Sequence, residues 1–247
     1  MSDNHVALVT GGNKGIGREI VRGLAERGLT VYLGARDPER GRRAVAEMRA
    51  GDVRFVQLDV TDPRSVEAAA ATVDAETGRL DALVNNAGIT TEWDVGPAEA
   101  DAARLRDIYE VNVFGVVTVT SAFLPLLRRS GAARIVNVSS GLGSLTVLSD
   151  PASPVAGRAA LGYSSSKAAL NALTLVYAAA LRADGIKVNA VSPGMVPTDQ
   201  NAAAPFPRGD RTTAEGAAVP ILLATLPEDG PTGTFRGPDT LNETIPW

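Results

Sequence analysis

Tyr163 and Lys167 stand four positions apart in the stretch LGYSSSKAAL, at the start of an apolar segment with helical periodicity. Four residues make about one helical turn, so the phenol and the ammonium share a face. A phenol ordinarily ionises near pH ~10 and exchanges protons poorly around neutrality, and a neighbouring ammonium favours the phenolate. The pair is therefore a candidate proton donor with its tuner, although the same spacing arises in helices that do no chemistry. Upstream, the run RIVNVSSGLG ends in Ser139 and Ser140. Either hydroxyl could hydrogen-bond a carbonyl oxygen as that oxygen gains negative charge. A Ser/Lys hydrolase is the competing chemistry, and it is weakened because no Gly-x-Ser-x-Gly elbow is present to present a nucleophile.

A second group of residues lies near the N-terminus. TGGNKGIG, Thr10 to Gly17, follows the run HVALVT and opens directly into a helical pattern. Gly11, Gly15 and Gly17 let the backbone turn tightly and approach a pyrophosphate, which a helix N-terminus attracts. A tight turn without a ligand is the alternative. Past the second strand, GARD places Arg36 where a nucleotide's ribose would be read, with Lys14 as a second cation. Two cations suit a 2′-phosphate, hence NADP rather than NAD. Asp37 pulls the other way unless it caps the helix that begins at Pro38. Asp59, in LDV, could accept from an adenine amine or close a turn. Asn85 to Gly88, the sequence NNAG, end the fourth strand as a turn or as polar groups brought near a ligand.

These residues need a scaffold that brings them to one edge. Short β-branched runs at 5–10, 30–35, 53–60, 82–86, 134–140, 186–192 and 233–237 alternate with amphipathic helices at about 15–28, 38–50, 63–77, 98–130 in two pieces, 162–183 and 213–225. That rhythm predicts an α/β fold: a Rossmann-type doubly wound parallel sheet of about seven strands with helices on both faces, in a single domain over 1–247. Two segments break the rhythm, 141–161 and the Pro-rich 193–213, and both read as loops that follow strands at the ligand-binding edge. The second reads as a lid.

Composition narrows the partners. Net charge is −4 with both signs interspersed, so no basic stripe points to nucleic acid or an anionic membrane. The chain has no cysteine and one histidine, His5, which makes metal chemistry improbable. The N-terminal residues lack a signal pattern and no apolar run approaches the ~20 residues of a spanning helix, so a cytoplasmic protein is expected.

Taken together, TGGNKGIG, NNAG and YSSSK resemble the short-chain dehydrogenase/reductase family over almost the whole chain. The resemblance implies that EVNVFG carries the family asparagine at Asn112, holding a kinked backbone and a water for proton relay, and it favours Ser140 over Ser139. It matches Pro193 and Gly194 to the family Pro-Gly, and places Val196 and Thr198 against the nicotinamide carboxamide. Cofactor contacts are implied for Gly11, Asn13, Lys14, Gly15, Ile16, Gly17, Arg36, Asp59, Val60, Asn86, Ala87, Gly88, Tyr163 and Lys167. Within the family, GGNKGIG, ARD, GPTG and the final Trp247 look most like NADPH-dependent carbonyl reductases.

The implied reaction is hydride transfer from NADPH to a ketone or aldehyde, with Tyr163 as the acid and Ser140 orienting the carbonyl. Lys167 would lower the Tyr163 pKa, bind the nicotinamide ribose and return the proton. Alcohol oxidation with NADP, or NADPH sensing without chemistry, are the alternatives. Trp93, Leu142, Leu145, Val147, Met195 and Phe206 could line an apolar pocket. Ser140 and Tyr163 are 23 positions apart, between the spacing of family tetramers and that of monomeric carbonyl reductases, so a homo-oligomer through the Ala-rich helices is possible.

Overall fold

Residues 5–91 and 93–247 are described by the computed structural model. Seven strands form one parallel sheet in the order β3-β2-β1-β4-β5-β6-β7. They are β1 (Val6–Thr10), β2 (Thr30–Ala35), β3 (Asp52–Gln57), β4 (Ala82–Asn85), β5 (Arg134–Val138), β6 (Lys187–Val191) and β7 (Phe235–Arg236). The main helices are α1 (Gly15–Ala25), α2 (Pro38–Glu47), α3 (Pro63–Thr77), α4 (Ala102–Tyr109), α5 (Gly115–Ser130), α6 (Leu145–Ser149), α7 (Leu161–Ala180) and α8 (Thr213–Ala224). Strand order reverses between β1 and β4, so a crevice opens outside their carboxyl ends, where open α/β sheets take their ligands.

The period-2 alternation of β1 explains why the sheet is covered on both faces. Ala7 and Val9 join a cluster with Ile20 and Leu24 of α1 and Ile221 and Leu223 of α8, while Val6 and Leu8 join Val66 of α3 and Phe123 and Leu127 of α5 on the other face. All these side chains are buried. The expected strands and helices are therefore present, with ends shifted by a few residues. Asp59–Val60 and Ser140 lie past the ladder at the carboxyl edge, after last bonds from Leu58 N to the Ala35 carbonyl and from Ser139 N to the Val191 carbonyl (3.0 and 2.7 Å).

Two expectations change, and one contact is new. The helical run Ala102–Ser130 is long and apolar enough to cross a membrane, with mean hydropathy 1.6. Half of it is buried, and Phe123 and Leu127 are wholly so, which is how a helix of the core behaves. Segment 141–161 is also more ordered than a loop. It holds single 3-10 turns at Gly141–Gly143 and Ala156–Arg158 with α6 between them. Finally, α6 docks on the C-terminus: Ser144 Oγ donates to the Pro246 carbonyl (2.6 Å), and Thr146 N and Oγ1 donate to the Trp247 carbonyl (3.0 and 2.7 Å). Trp247 in turn stacks on Phe235 of β7 at 5.5 Å.

Candidate active site

One cavity of about 640 Å³ runs along the carboxyl edge from Arg36 and the glycine turn to Ser140, Tyr163 and Lys167. Its size suits an extended cofactor together with a small molecule. Every residue named above for cofactor contact lines it, and Asn112 lies just behind its wall.

The nucleotide end is made by backbone. Gly11 and Gly15 have φ of +63° and +56°, the left-handed region that favours glycine. A Cβ on Gly17 would run into the Gly11 carbonyl and the Asn86 amide nitrogen. Thr10 fastens this turn to the end of β4, because its Oγ1 accepts from the Asn86 and Ala87 amides, both at 3.0 Å. Asn86 Nδ2 donates to the Thr10 and Gly11 carbonyls (2.9 and 3.3 Å), so its amide braces the turn. Asn85 points the other way, into the sheet interior, where Nδ2 donates to Asn137 Oδ1 (2.9 Å) and Thr120 Oγ1 (3.3 Å). Only the second asparagine of NNAG belongs to the cavity.

Helix capping sets the start of α1 apart from those of α2, α3, α4 and α8, a difference it shares with α7, whose N-cap is Ala160. Side-chain oxygens of Asp37, Asp62, Asp101 and Thr212 cap α2, α3, α4 and α8, whereas Lys14 before α1 offers no cap and no acidic residue occupies its first turn. The free N–H groups of α1 therefore face the cavity uncompensated, which fits the pyrophosphate of a dinucleotide. Asp37 accepts from the Glu39 and Arg40 amides (3.0 and 3.1 Å), and these bonds hold its carboxyl below the usual range. Its role is the cap, which removes the objection to a 2′-phosphate. Arg36 is exposed at the cavity rim and makes no ion pair among the described residues. Lys14 is not free as expected: its ammonium pairs with Asp199 at 2.9 Å. Asp59 has the turn role, its Oδ1 accepting from Thr61 N and Oγ1 (3.0 and 2.8 Å), and it also lines the cavity. Thr198 sits over the glycine turn, its methyl 3.6 Å from where a Gly15 Cβ would stand, rather than at the far end.

The other end is made by side chains of β5, α7 and the loops. Ser140 caps the 3-10 turn that follows β5, accepting from Leu142 N at 3.2 Å, and hydrogen-bonds Tyr163. Ser139 is turned away, donating to Asn171 Oδ1 at 2.7 Å, which decides between the two serines. Asn112 lies in a π-helical turn, Glu110–Phe114, between α4 and α5. Its carboxamide is wholly buried and spent on protein: Oδ1 accepts from Ile89 N (2.9 Å), and Nδ2 donates to Ile89 O (2.9 Å) and Ser166 Oγ (3.0 Å). The expected kink is present, and the side chain acts as a brace.

The electrostatics differ from the expected tuning. Burial pushes the Tyr163 hydroxyl above the ordinary phenol range, and hydrogen bonds from Ser140 and Gln200 only partly offset this. Lys167 Nζ lies 5.7 Å from the Tyr163 ring centre and donates to the Val138 carbonyl at 2.9 Å. Burial pushes that ammonium down to about 8. Both groups are thus tuned by being taken out of water, each toward its neutral form, and the Val138 carbonyl is the partner that holds the lysine's proton.

Two residues escaped the sequence reading. Gln200, in a 3-10 turn over Asp199–Asn201, reaches Tyr163 with its side chain and accepts from Trp93 Nε1 (2.8 Å) with its carbonyl. Gly143 packs so closely on α7 that a Cβ would stand 2.6 Å from the Lys167 carbonyl carbon. The first lies in a breaker-rich segment without a period, and the second is one glycine among 25. Of the expected apolar pocket, Trp93, Leu142, Met195 and Phe206 line the cavity, with Trp93 5.3 Å edge-on to Phe206 and 5.7 Å from the Tyr163 ring. Leu145 and Val147 do not, because α6 is anchored on the C-terminus and leaves Leu145 exposed.

Comparison with known proteins agrees with this geometry. A family model described as short chain dehydrogenase matches residues 5–206. Salutaridine reductase from Papaver bracteatum is 34% identical, with 93% of this chain and 93% of that protein covered. (-)-Isopiperitenone reductase from Mentha piperita is 35% identical, with 93% and 95% covered. The two alignments run over 297 and 303 positions against a chain of 247 residues, so these relatives carry segments that this chain lacks. Among solved structures, the NADPH-bound carbonyl reductase from chicken fatty liver matches with a TM-score of 0.84 at 30% identity, covering 99% of both chains.

Proposed function

The chain belongs to the short-chain dehydrogenase/reductase family, and on that premise we propose that it reduces the carbonyl of an apolar ketone or aldehyde to an alcohol with NADPH. The observation that carries this reading is a single cavity joining the uncapped start of α1 and the Arg36 rim to Tyr163, Ser140 and Lys167. Arg36 and Lys14 would hold the 2′-phosphate, and the N–H groups of α1 the pyrophosphate. When bound, NADPH supplies the hydride.

The residues of the chain do the rest. Ser140 donates to the substrate oxygen and fixes its position beside the phenol. Tyr163 gives that oxygen a proton. Burial keeps the phenol protonated near neutrality, and this favours reduction, since the reverse reaction needs a phenolate. The ammonium of Lys167, on the same helix face, stabilises the phenolate left behind and returns a proton from a group poised near pH 8. Asn112 acts at one remove, holding Ile89 and α7 in register around these groups. Trp93, Leu142, Met195 and Phe206 exclude water from the carbonyl end and suit a hydrophobic substrate.

The test is NADPH consumption against a panel of ketones and aldehydes. Tyr163→Phe should keep its NADPH affinity while turnover falls by roughly 10²–10⁴-fold. Undiminished turnover in that variant would remove Tyr163 as the acid.

A further inference from the structure

The turn Asp199–Asn201 touches both ends of the cavity at once. Its first residue places a carboxylate on Lys14 at 2.9 Å, and Arg40 adds to the attraction. Its second residue holds Tyr163 through its side chain and Trp93 Nε1 through its carbonyl. Its third residue makes the turn a rigid unit: Asn201 Oδ1 accepts from Thr198 N and Nδ2 donates to Val196 O, both at 2.9 Å. One end cannot move far without the other.

The two contacts differ in strength. The Lys14–Asp199 pair is exposed, at 60% and 79% for the two side chains, so water screens it and a dianion displaces it readily. Once a phosphate sits on Lys14, the Asp199 carboxylate faces like charge and loses its reason to stay. A nucleotide without that phosphate brings no dianion to compete for Lys14, and so leaves the pair in place.

We propose that Asp199 and Gln200 form a latch that selects the phosphorylated nucleotide in turnover: the 2′-phosphate expels Asp199 from Lys14, and the rigid turn carries Gln200 away from Tyr163. The inference rests on the reading of NADPH as cofactor. NADH binds in the same cavity but leaves the turn latched, with the Tyr163 hydroxyl still engaged by Gln200 where a substrate oxygen must go. Asp199 is on this account a specificity-determining residue, and Gln200 reports its state to the acid.

Trp93 makes the latch visible, because its indole is bonded to Gln200 and the chain has only one other tryptophan, Trp247. The full-length protein would be titrated with 2′,5′-ADP, which carries the phosphate and no nicotinamide, and with 5′-ADP, binding being followed by calorimetry and tryptophan emission together. Expected is an emission change with 2′,5′-ADP that Trp93→Phe abolishes, none with saturating 5′-ADP, and none in Asp199→Asn, whose emission already matches the released state. Asp199→Asn should also raise the ratio of NADH- to NADPH-supported turnover about tenfold. Calorimetric binding of 2′,5′-ADP without an emission change in the wild type would overturn the latch alone, as would an unchanged cofactor ratio in Asp199→Asn. Failure of 2′,5′-ADP to bind at all would overturn the NADPH reading and the latch with it.

Discussion

At the nucleotide end of the cavity the chain comes so close to itself that side chains are excluded, whereas at the carbonyl end side chains hold the elements apart and make the surface. Gly11 and Gly17 bring backbone against backbone beneath α1, Gly15 turns the chain between them at positive φ, and the bonds that fix the turn run to the carbonyls and amides of Thr10, Gly11, Asn86 and Ala87. The other end is furnished by Ser140, Tyr163, Lys167, Trp93, Gln200 and Phe206, which come from a strand end, a helix and two loops. A backbone cradle can recognise only what every dinucleotide shares. A wall of loop side chains can be rebuilt without disturbing it, which is how one scaffold serves different substrates.

The sharpest way to break that contrast is one methyl group at each end. Gly17→Ala would place a Cβ on the Gly11 carbonyl and the Asn86 amide, neither of which can yield without loosening β1 from β4. The expected outcome is loss of NADPH binding together with about 1–3 kcal/mol of stability, seen as a lower melting temperature. Gly141→Ala, one residue past Ser140, adds its methyl where nothing lies within 4 Å, and the melting temperature should hold. Gly143 is the exception at that end, since it packs directly against Lys167. If Gly17→Ala bound NADPH normally, the close approach would not be what makes the cradle.

The same contrast separates what was legible in the sequence from what was not. Continuous apolar runs announce buried parallel strands, and glycines placed after the first of them announce the cradle, because local chain stereochemistry leaves few other residues that work there. Tyr163 and Lys167 were legible because one helix fixes their separation. What depends on distant segments meeting was not. Asp37 reads equally as cap or ribose ligand until its carboxylate is seen on the Glu39 and Arg40 amides, and Asn85 and Asn86 look alike until one turns inward to Asn137. Gln200 reaches Tyr163 and Asp199 reaches Lys14 across 37 and 185 positions of chain, and no pattern of spacing carries that. The direction of tuning was missed for a related reason: burial, which no spacing shows, acts on Tyr163 and Lys167 together and is the largest cause for each.

That burial yields a pH signature at the carbonyl end alone. Lys167 has its folded pKa pushed down to about 8 from 10.5, so below pH 8 both folded and unfolded chains carry the proton and the cost of the buried ammonium is present in full. Between about 8 and 10.5 the folded protein releases the proton while the unfolded chain keeps it, so this group's contribution to stability rises with pH. Turnover should move the other way. The kcat/KM for NADPH, which reports the free enzyme, is expected to fall roughly tenfold per pH unit above about 8 as the ammonium is lost. Denaturant melts across the same range should show the wild type gaining on Lys167→Met. A flat kcat/KM from pH 8 to 10 would mean that the ammonium is not what the site needs.

The smallest effect is expected where a side chain belongs to the wall and to nothing else. Phe206 stands edge-on to Trp93 at 5.3 Å and under the Arg158 guanidinium at 5.5 Å, half-buried on an otherwise exposed stretch of the loop after β6. Leucine there keeps the wall apolar but removes the ring that an aromatic substrate would meet, and an aromatic pair is worth about 0.5–1.5 kcal/mol. Phe206→Leu should therefore raise KM for aromatic ketones by about 2- to 12-fold, leave small aliphatic ketones less affected, and leave the NADPH dissociation constant where it was. Steady-state kinetics with a matched pair of ketones, beside an NADPH titration, reads all three. A loss of NADPH affinity in Phe206→Leu would show that Phe206 too is tied to the nucleotide end, and not to the carbonyl wall alone.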